Sequence, residues 1–281
     1  MHIGHIEVEP GVRLHVQDLG EGEPVVLLPG FGMAHETWDG VVRRLTESGY
    51  RAVCVDPRGH GLSDRPLHGY EVPRLAKDVV AVLDALGIDS ATIVGWSFSG
   101  QVGFQLAATA PERVSQLVLV CSNAVRTTRS EEFPFGLPAS TLLPTLLEGE
   151  LNDRMTSRRA GIANAFASPP DPHLLEWLTT LSLRMPSWAG AAVCVALMET
   201  DLVAQIPHVR QPVLQLIGAD DKIFSLKGAR WLNERLTDAT LIPLERCGHY
   251  PMLEQPTVFF DALHAFLSRT DPRPAEQGTV G

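Results

Sequence analysis

No apolar run in this 281-residue sequence is long enough to cross a bilayer. The N-terminal stretch "MHIGHIEVEPGVRLHV" has no basic segment leading into an apolar one, so no secretory signal is expected. Positive charge is in short supply: 23 Lys and Arg stand against 33 Asp and Glu, a net charge of −10. Such a surface repels a phosphate backbone and offers no polybasic cluster to anionic lipid, so neither nucleic acid nor a membrane is an expected partner. Cysteine is scarce too. Cys54, Cys121, Cys194 and Cys247 lie far apart, with neither CxxC spacing nor the look of a disulfide framework. They read as reduced, mostly buried thiols in a cytoplasmic protein. No HExxH or other ligand cluster is present, so no metal or organic cofactor is expected. The sequence carries no signal for an oligomeric state.

What is present is 44% apolar content, enough for a large core in one domain with an insertion. "HIEVE" and "RLHVQD" alternate as strands about a Pro10-Gly11 turn. "PVVLLPG" is a continuous apolar run, as a strand covered on both faces should be, and "RAVCVD", "ATIVGW" and "SQLVLVCS" read as the strands that follow it. Between them, "WDGVVRRLTESG", "VPRLAKDVVAVLDALG" and "FSGQVGFQLAATA" have helical spacing. This alternation predicts a mostly parallel sheet with helices on both faces. The rhythm stops over residues 124–206, where "STLLPTLLEGEL" and "DPHLLEWLTTLSL" read as helices, and resumes with "PVLQLIGADD", "LKGARWLNERL", "ATLIPLE" and "PTVFFDALHAFLSR". The expected organisation is a core of residues 1–123 and 207–270 interrupted by a helical lid at 124–206. The tail at 271–281 is expected to be disordered.

One stretch carries chemistry. "TIVGWSFSGQVGFQLA" places Gly95, Ser97 and Gly100 where a buried strand turns straight into a helix. A serine on so sharp a turn is pushed out where it can react, and side chains at 95 and 100 would collide with the neighbouring strand and helix. Its hydroxyl needs a base to take the proton, and that base needs a carboxylate to orient it. In this architecture acid and base follow the serine in that order, each on a loop after a later strand. The loop after "PVLQLIG" supplies Asp220 and Asp221, and the loop after "ATLIPLE" supplies His249. Of the ten histidines, His60 comes nearest in setting, but it precedes the serine. A loop leaving a strand exposes alternate side chains, so one of the two aspartates can face His249. Oxyanion donors are expected from the N–H of Phe98, directly after the serine, and from the N–H of Phe31 in "LLPGFGMAHETW", where Gly30 permits close backbone approach.

The motifs "LLPGFGMAHETWD", "VDPRGHGLSDRP", "GWSFSG", "PVLQLIGADDKI" and "CGHYPMLEQP" resemble those of the α/β-hydrolase fold, in the branch of small esterases, lactonases and cofactor-free bacterial haloperoxidases. The resemblance runs over residues 5–268. It implies a Ser97, Asp221, His249 triad, the acid being the third residue after the loop glycine. It also implies that Asp56, Arg58 and His60 are structural. The family often has His before the oxyanion glycine; here that position is Pro29. The implied activity is cleavage of a small, largely apolar ester or lactone through an acyl-enzyme. Trp96, Met155, Phe166, Trp177, Met185 and Trp188 are expected to line the pocket. Arg158, Arg159 and Arg184 read as solvated helix faces, with a substrate carboxylate as their other possible contact. Carbon–carbon bond hydrolysis or perhydrolysis by the same triad, and a non-catalytic binding protein on the same scaffold, are the alternatives.

Overall fold

The computed structural model describes residues 2–269, so the expected disordered tail lies outside the described residues. Eight strands form one sheet: β1 (His2–Glu9), β2 (Val12–Leu19), β3 (Pro24–Leu28), β4 (Arg51–Val55), β5 (Ala91–Trp96), β6 (Val114–Val120), β7 (Val213–Gly218) and β8 (Ala239–Leu244). Their spatial order is β1-β2-β4-β3-β5-β6-β7-β8. β2 runs antiparallel to both its neighbours and the remaining pairs are parallel. The helices are α1 (Asp39–Glu47), α2 (Val72–Ala85), α3 (Phe98–Thr109), α4 (Ala139–Asn152), α5 (Arg154–Ala165), α6 (Pro172–Ser182), α7 (Ser187–Glu199), α8 (Leu226–Asn233), α9 (Pro251–Glu254) and α10 (Pro256–Leu267).

The central strands are largely apolar because both of their faces are covered, and among their few polar side chains Thr92, Gln116 and Gln215 are buried. Successive side chains alternate between two cores. Leu28, Val53, Ile93 and Leu117 join the core beneath α2, α3 and α8, whereas Leu27, Cys54, Val94 and Val118 join the one beneath α1 and α10. Pro111, just past α3, cannot continue a helix and opens the 3-10 turn leading into β6.

Helices α4 to α7 are inserted between β6 and β7, and no buried strand interrupts them. Helix α6 opens on Asp171, whose carboxylate accepts the N–H groups of His173 and Leu174 at 2.9 and 3.3 Å, with Pro172 in the first turn. Val193 and Leu197 of α7 belong to the first core, and Ile162 of α5 and Leu178 of α6 to the second. The insertion therefore seats on both halves of the molecule. Because β3, β5, β6, β7 and β8 are parallel, the loops that leave them emerge at one edge of the sheet, under these helices. Among the described residues, no single helix is long and apolar enough to cross a membrane.

Candidate active site

Ser97 sits between β5 and α3 with φ 59° and ψ −121°, a strained conformation for a residue with a side chain. Its N–H bonds the Val120 carbonyl at 2.9 Å and its carbonyl accepts from Gly100 at 3.0 Å, so both sides of the turn are fixed. The flanking glycines are sterically required. A Cβ at 95 would overlap the backbone of Ser99, and one at 100 would overlap the Ser122 side chain at the end of β6.

Ser97 Oγ lies 2.9 Å from Nε2 of His249, and Nδ1 of His249 lies 2.9 Å from Oδ2 of Asp221. A carboxylate only accepts, so Nδ1 carries the hydrogen and Nε2 is left to accept from the serine hydroxyl. The other oxygen of Asp221, Oδ1, accepts the N–H groups of Ile223 and Phe224 at 2.7 and 3.1 Å. The Asp221 side chain is fully buried, whereas Asp220 is exposed, which settles which aspartate faces the histidine. Asp220 does not cap α8 either; Ser225 does, accepting from the N–H of Lys227. The imidazole is held between Trp96 and the stacked ring of Phe224, each 5.8 Å away between centroids.

Glu254 is a positioning group that sequence reasoning passed over, although it lies inside the quoted "CGHYPMLEQP". Its carboxylate accepts the N–H groups of Gly248 and Tyr250, both at 3.0 Å, and that of Ala167 at 2.9 Å. It thus ties the residues on either side of His249 to the insertion. The His249 N–H adds a bond to the Ala165 carbonyl at 2.8 Å.

Opposite the histidine, the loop after β3 approaches Ser97 closely. A Cβ on Gly30 would stand 3.1 Å from Cβ of Ser97. Phe31 occupies a turn closed by the Met33 N–H to the Gly30 carbonyl at 3.0 Å, and the Ser99 hydroxyl donates to the Pro29 carbonyl, tying this loop to the start of α3. Phe98 is the first residue of α3, so its N–H has no acceptor within the helix.

Ser97 and His249 open into a cavity of 410 Å³ roofed by the insertion. Its lining includes Phe31 and Trp96, and otherwise side chains such as Met33, Ile162, Leu197, Met198 and Tyr250. The other expected lining residues lie elsewhere. Met155 is 71% exposed on an outer groove beside Arg159, and Trp177 and Trp188 are also exposed on outer surfaces. Phe166 is buried behind the wall, stacked on Tyr250 with centroids 4.5 Å apart, and Met185 is buried against Arg158. Arg159 is exposed and Arg184 pairs with Glu36, but Arg158 is no solvated face. It is 7% exposed, paired with Glu150 on α4, and lines the cavity. The sequence signal was present in residue type alone, because nothing in the local pattern distinguishes Arg158 from Arg159.

The Asp56–Asp64 turn is structural. Asp56 accepts from the N–H and Nδ1 of His35 at 2.7 and 2.9 Å. Burial alone would raise its pKa, but these bonds and the His35 charge outweigh it and hold it below the usual carboxylate range. Arg58 is fully buried on Asp78 and Glu9. His60 donates from Nδ1 to the Arg58 carbonyl, and burial lowers its pKa to about 4. All four cysteines are free and buried. Among the described residues, Cys121, Asp221 and His249 place ligand-type atoms within 4.8 Å of one another. They fit a cation poorly: the Asp221 and His249 atoms already bond each other, and burial keeps the Cys121 thiol protonated.

Residues 23–256 match the family described as "alpha/beta hydrolase fold". A pimeloyl-[acyl-carrier protein] methyl ester esterase of Nitrosomonas europaea is 34% identical over 256 residues, covering 89% of this chain and 99% of its own. A 3-oxoadipate enol-lactonase of Acinetobacter baylyi is 30% identical over 220 residues, covering 78% and 79%. The structure of an esterase from Exiguobacterium antarcticum superimposes with a TM-score of 0.91 at 26% identity, covering 95% of this chain and 100% of that one. With a sheet of this order, an inserted helical roof and a serine–histidine–aspartate relay at the carboxyl edge, the chain belongs to the α/β-hydrolase family.

Proposed function

We propose that the chain hydrolyses a small, largely apolar ester or lactone, with Ser97 as nucleophile, His249 as general base and acid, and Asp221 as the group that orients it. The observation that carries this is the unbroken relay from Ser97 Oγ through both nitrogens of His249 to Asp221, opening on a mainly apolar cavity. His249 Nε2 takes the hydroxyl proton as Oγ attacks the substrate carbonyl. The N–H groups of Phe31 and Phe98 receive the oxyanion, each worth about 3 kcal/mol of barrier. Protonated His249, stabilised by Asp221, then returns its proton to the departing alkoxide. Water enters, gives a proton to His249 and cleaves the acyl-enzyme, and the serine regains its hydrogen. The esterase and lactonase relatives support the substrate class, and free, buried cysteines are in keeping with a cytoplasmic location.

The test is turnover of p-nitrophenyl acetate by the wild type and by Ser97→Ala. The expected loss is at least about 10³-fold, with a fluorophosphonate adduct on Ser97 in the wild type alone. Equal rates in the two proteins would instead make this a binding protein built on a hydrolase scaffold.

A further inference from the structure

Away from Ser97 and His249, the wall of the cavity is mainly apolar with the neutral hydroxyls of Thr145, Ser157 and Ser182, and its charged groups are Arg158 and Glu150. Arg158 reaches in from α5, and its guanidinium is only partly used by the protein. Nε and Nη2 donate to the two oxygens of Glu150 at 2.7 and 2.9 Å, and Nη2 also meets Met185 Sδ at 3.3 Å. Nη1 is buried and no protein acceptor reaches it. The guanidinium carbon lies 4.2 Å from the centroid of the Phe31 ring, and Nη1 lies against Gly32, where any Cβ would collide with it.

Two simple accounts of Arg158 fall short. As a staple between α4 and α5 it needs Nε and Nη2 alone, and a buried donor without a partner then carries an uncompensated desolvation cost. As one half of a neutral ion pair it would need Glu150 to itself. Glu150 is shared, because Arg154 Nε also donates to its Oε1 at 2.9 Å. Two guanidinium groups face one carboxylate, so the cluster is one negative charge short.

We propose that Arg158 is a specificity-determining residue, its free Nη1 receiving a carboxylate on the substrate, and that the substrate is the half-ester of a short dicarboxylic acid or a lactone bearing a carboxylate. This rests on Ser97 being the nucleophile. The spacing limits the chain between the two groups. Gly30 backs onto Ser97 and Gly32 onto Nη1. Two residues of backbone span at most about 7 Å, so the scissile carbonyl and the carboxylate are a few methylenes apart. The apolar lining of the cavity, Met33, Leu146, Ile162, Leu197 and Ile223 among it, suits a hydrocarbon spacer and offers no competing charge.

The probes are methyl butyrate and monomethyl glutarate, alike at the ester and different in the terminal carboxylate, followed by acid release. Arg158→Lys keeps the cation but loses the fork geometry. The double variant Glu150→Gln with Arg158→Met leaves no carboxylate buried alone, so the insertion keeps its packing. In both, kcat/KM for monomethyl glutarate is expected to fall about ten- to a hundredfold further than for methyl butyrate, as the loss of a hydrogen bond to a charged group does. Equal losses for the two esters in both variants would overturn the proposal and leave Arg158 a staple. Ser97→Ala separates the two failures. If methyl butyrate turnover needs Ser97 but the ratio of the two esters ignores Arg158, the hydrolase reading stands and this proposal falls. If turnover survives Ser97→Ala, the hydrolase reading itself falls.

Discussion

Trp96 donates from its indole Nε1 to the main-chain carbonyl of His249 at 2.8 Å. The residue just before the nucleophile thus holds the backbone of the base, across 153 positions of sequence. The indole also packs edge-on to Tyr250 with centroids 5.0 Å apart, and so steadies the loop from both sides of the histidine.

Trp96→Phe keeps most of the packing and removes the donor, leaving a buried carbonyl unsatisfied. The variant is expected to lose about 1–3 kcal/mol of stability in urea denaturation. Its kcat should drop as the imidazole loses its fixed position, and a variant matching the wild type in both measurements would show the bond to be idle.

Asp221→Asn tests the relay. Two backbone N–H groups, those of Ile223 and Phe224, hold one oxygen of this side chain. The asparagine would keep its own oxygen there and turn its amide nitrogen toward His249 Nδ1. Nδ1 must then accept, the hydrogen moves to Nε2, and the serine faces a donor in place of a base. A fall in kcat of about 10³- to 10⁴-fold is expected, with little change in thermal stability. Asp220→Asn, at an exposed carboxylate, should leave kcat within a factor of about two. The reverse ranking of the two variants would reassign the acid.

Stability is expected to fall on acidification before any carboxylate is fully protonated. His60 is buried, and its folded-state pKa is lowered from 6.5 to about 4. The unfolded chain binds a proton there below about pH 6.5 that the folded protein refuses until about pH 4. Stability from this group is therefore present above pH 6.5 and lost as pH falls through that window, on the order of 3 kcal/mol in all. His15, also lowered by burial, adds in the same direction. His35 opposes it. Burial lowers its pKa, but Asp56 outweighs that and raises it, so its contribution is present below about pH 6.5 and fades as pH rises through its raised value. Urea midpoints measured from pH 4 to 7 should climb with pH, and His60→Gln should flatten the climb. An unchanged slope in that variant would place the acid sensitivity elsewhere.

The strands were legible by two patterns: the first two by alternation about the Pro10-Gly11 turn, and the inner ones by largely apolar runs such as "PVVLL", as a strand covered on both faces requires. Ser97 and His249 were legible because each follows such a strand and their order along the chain is diagnostic. The insertion was legible as helical but not as a wall. Trp177 and Trp188 are large and apolar, yet they face outward, and the cavity is lined by smaller side chains such as Ile162 and Leu197. Helical periodicity says which positions share a face. It does not say which face meets the core, the solvent or the cavity when all three are within reach.

The sequence by itself determined where the chain turns from strand to helix, which serine stands on the strained turn, and which histidine and which loop could serve it. Those follow from local sterics and from the order of strands. The local pattern left Asp220 and Asp221 level, the family resemblance pointed to Asp221, and the structure puts that carboxylate on His249. Only the tertiary structure buried Arg158 beside Arg159 in solvent and gave Glu254 its three backbone donors. Each of these depends on groups brought from distant helices and loops, and a charged side chain carries no local mark of whether a partner waits for it.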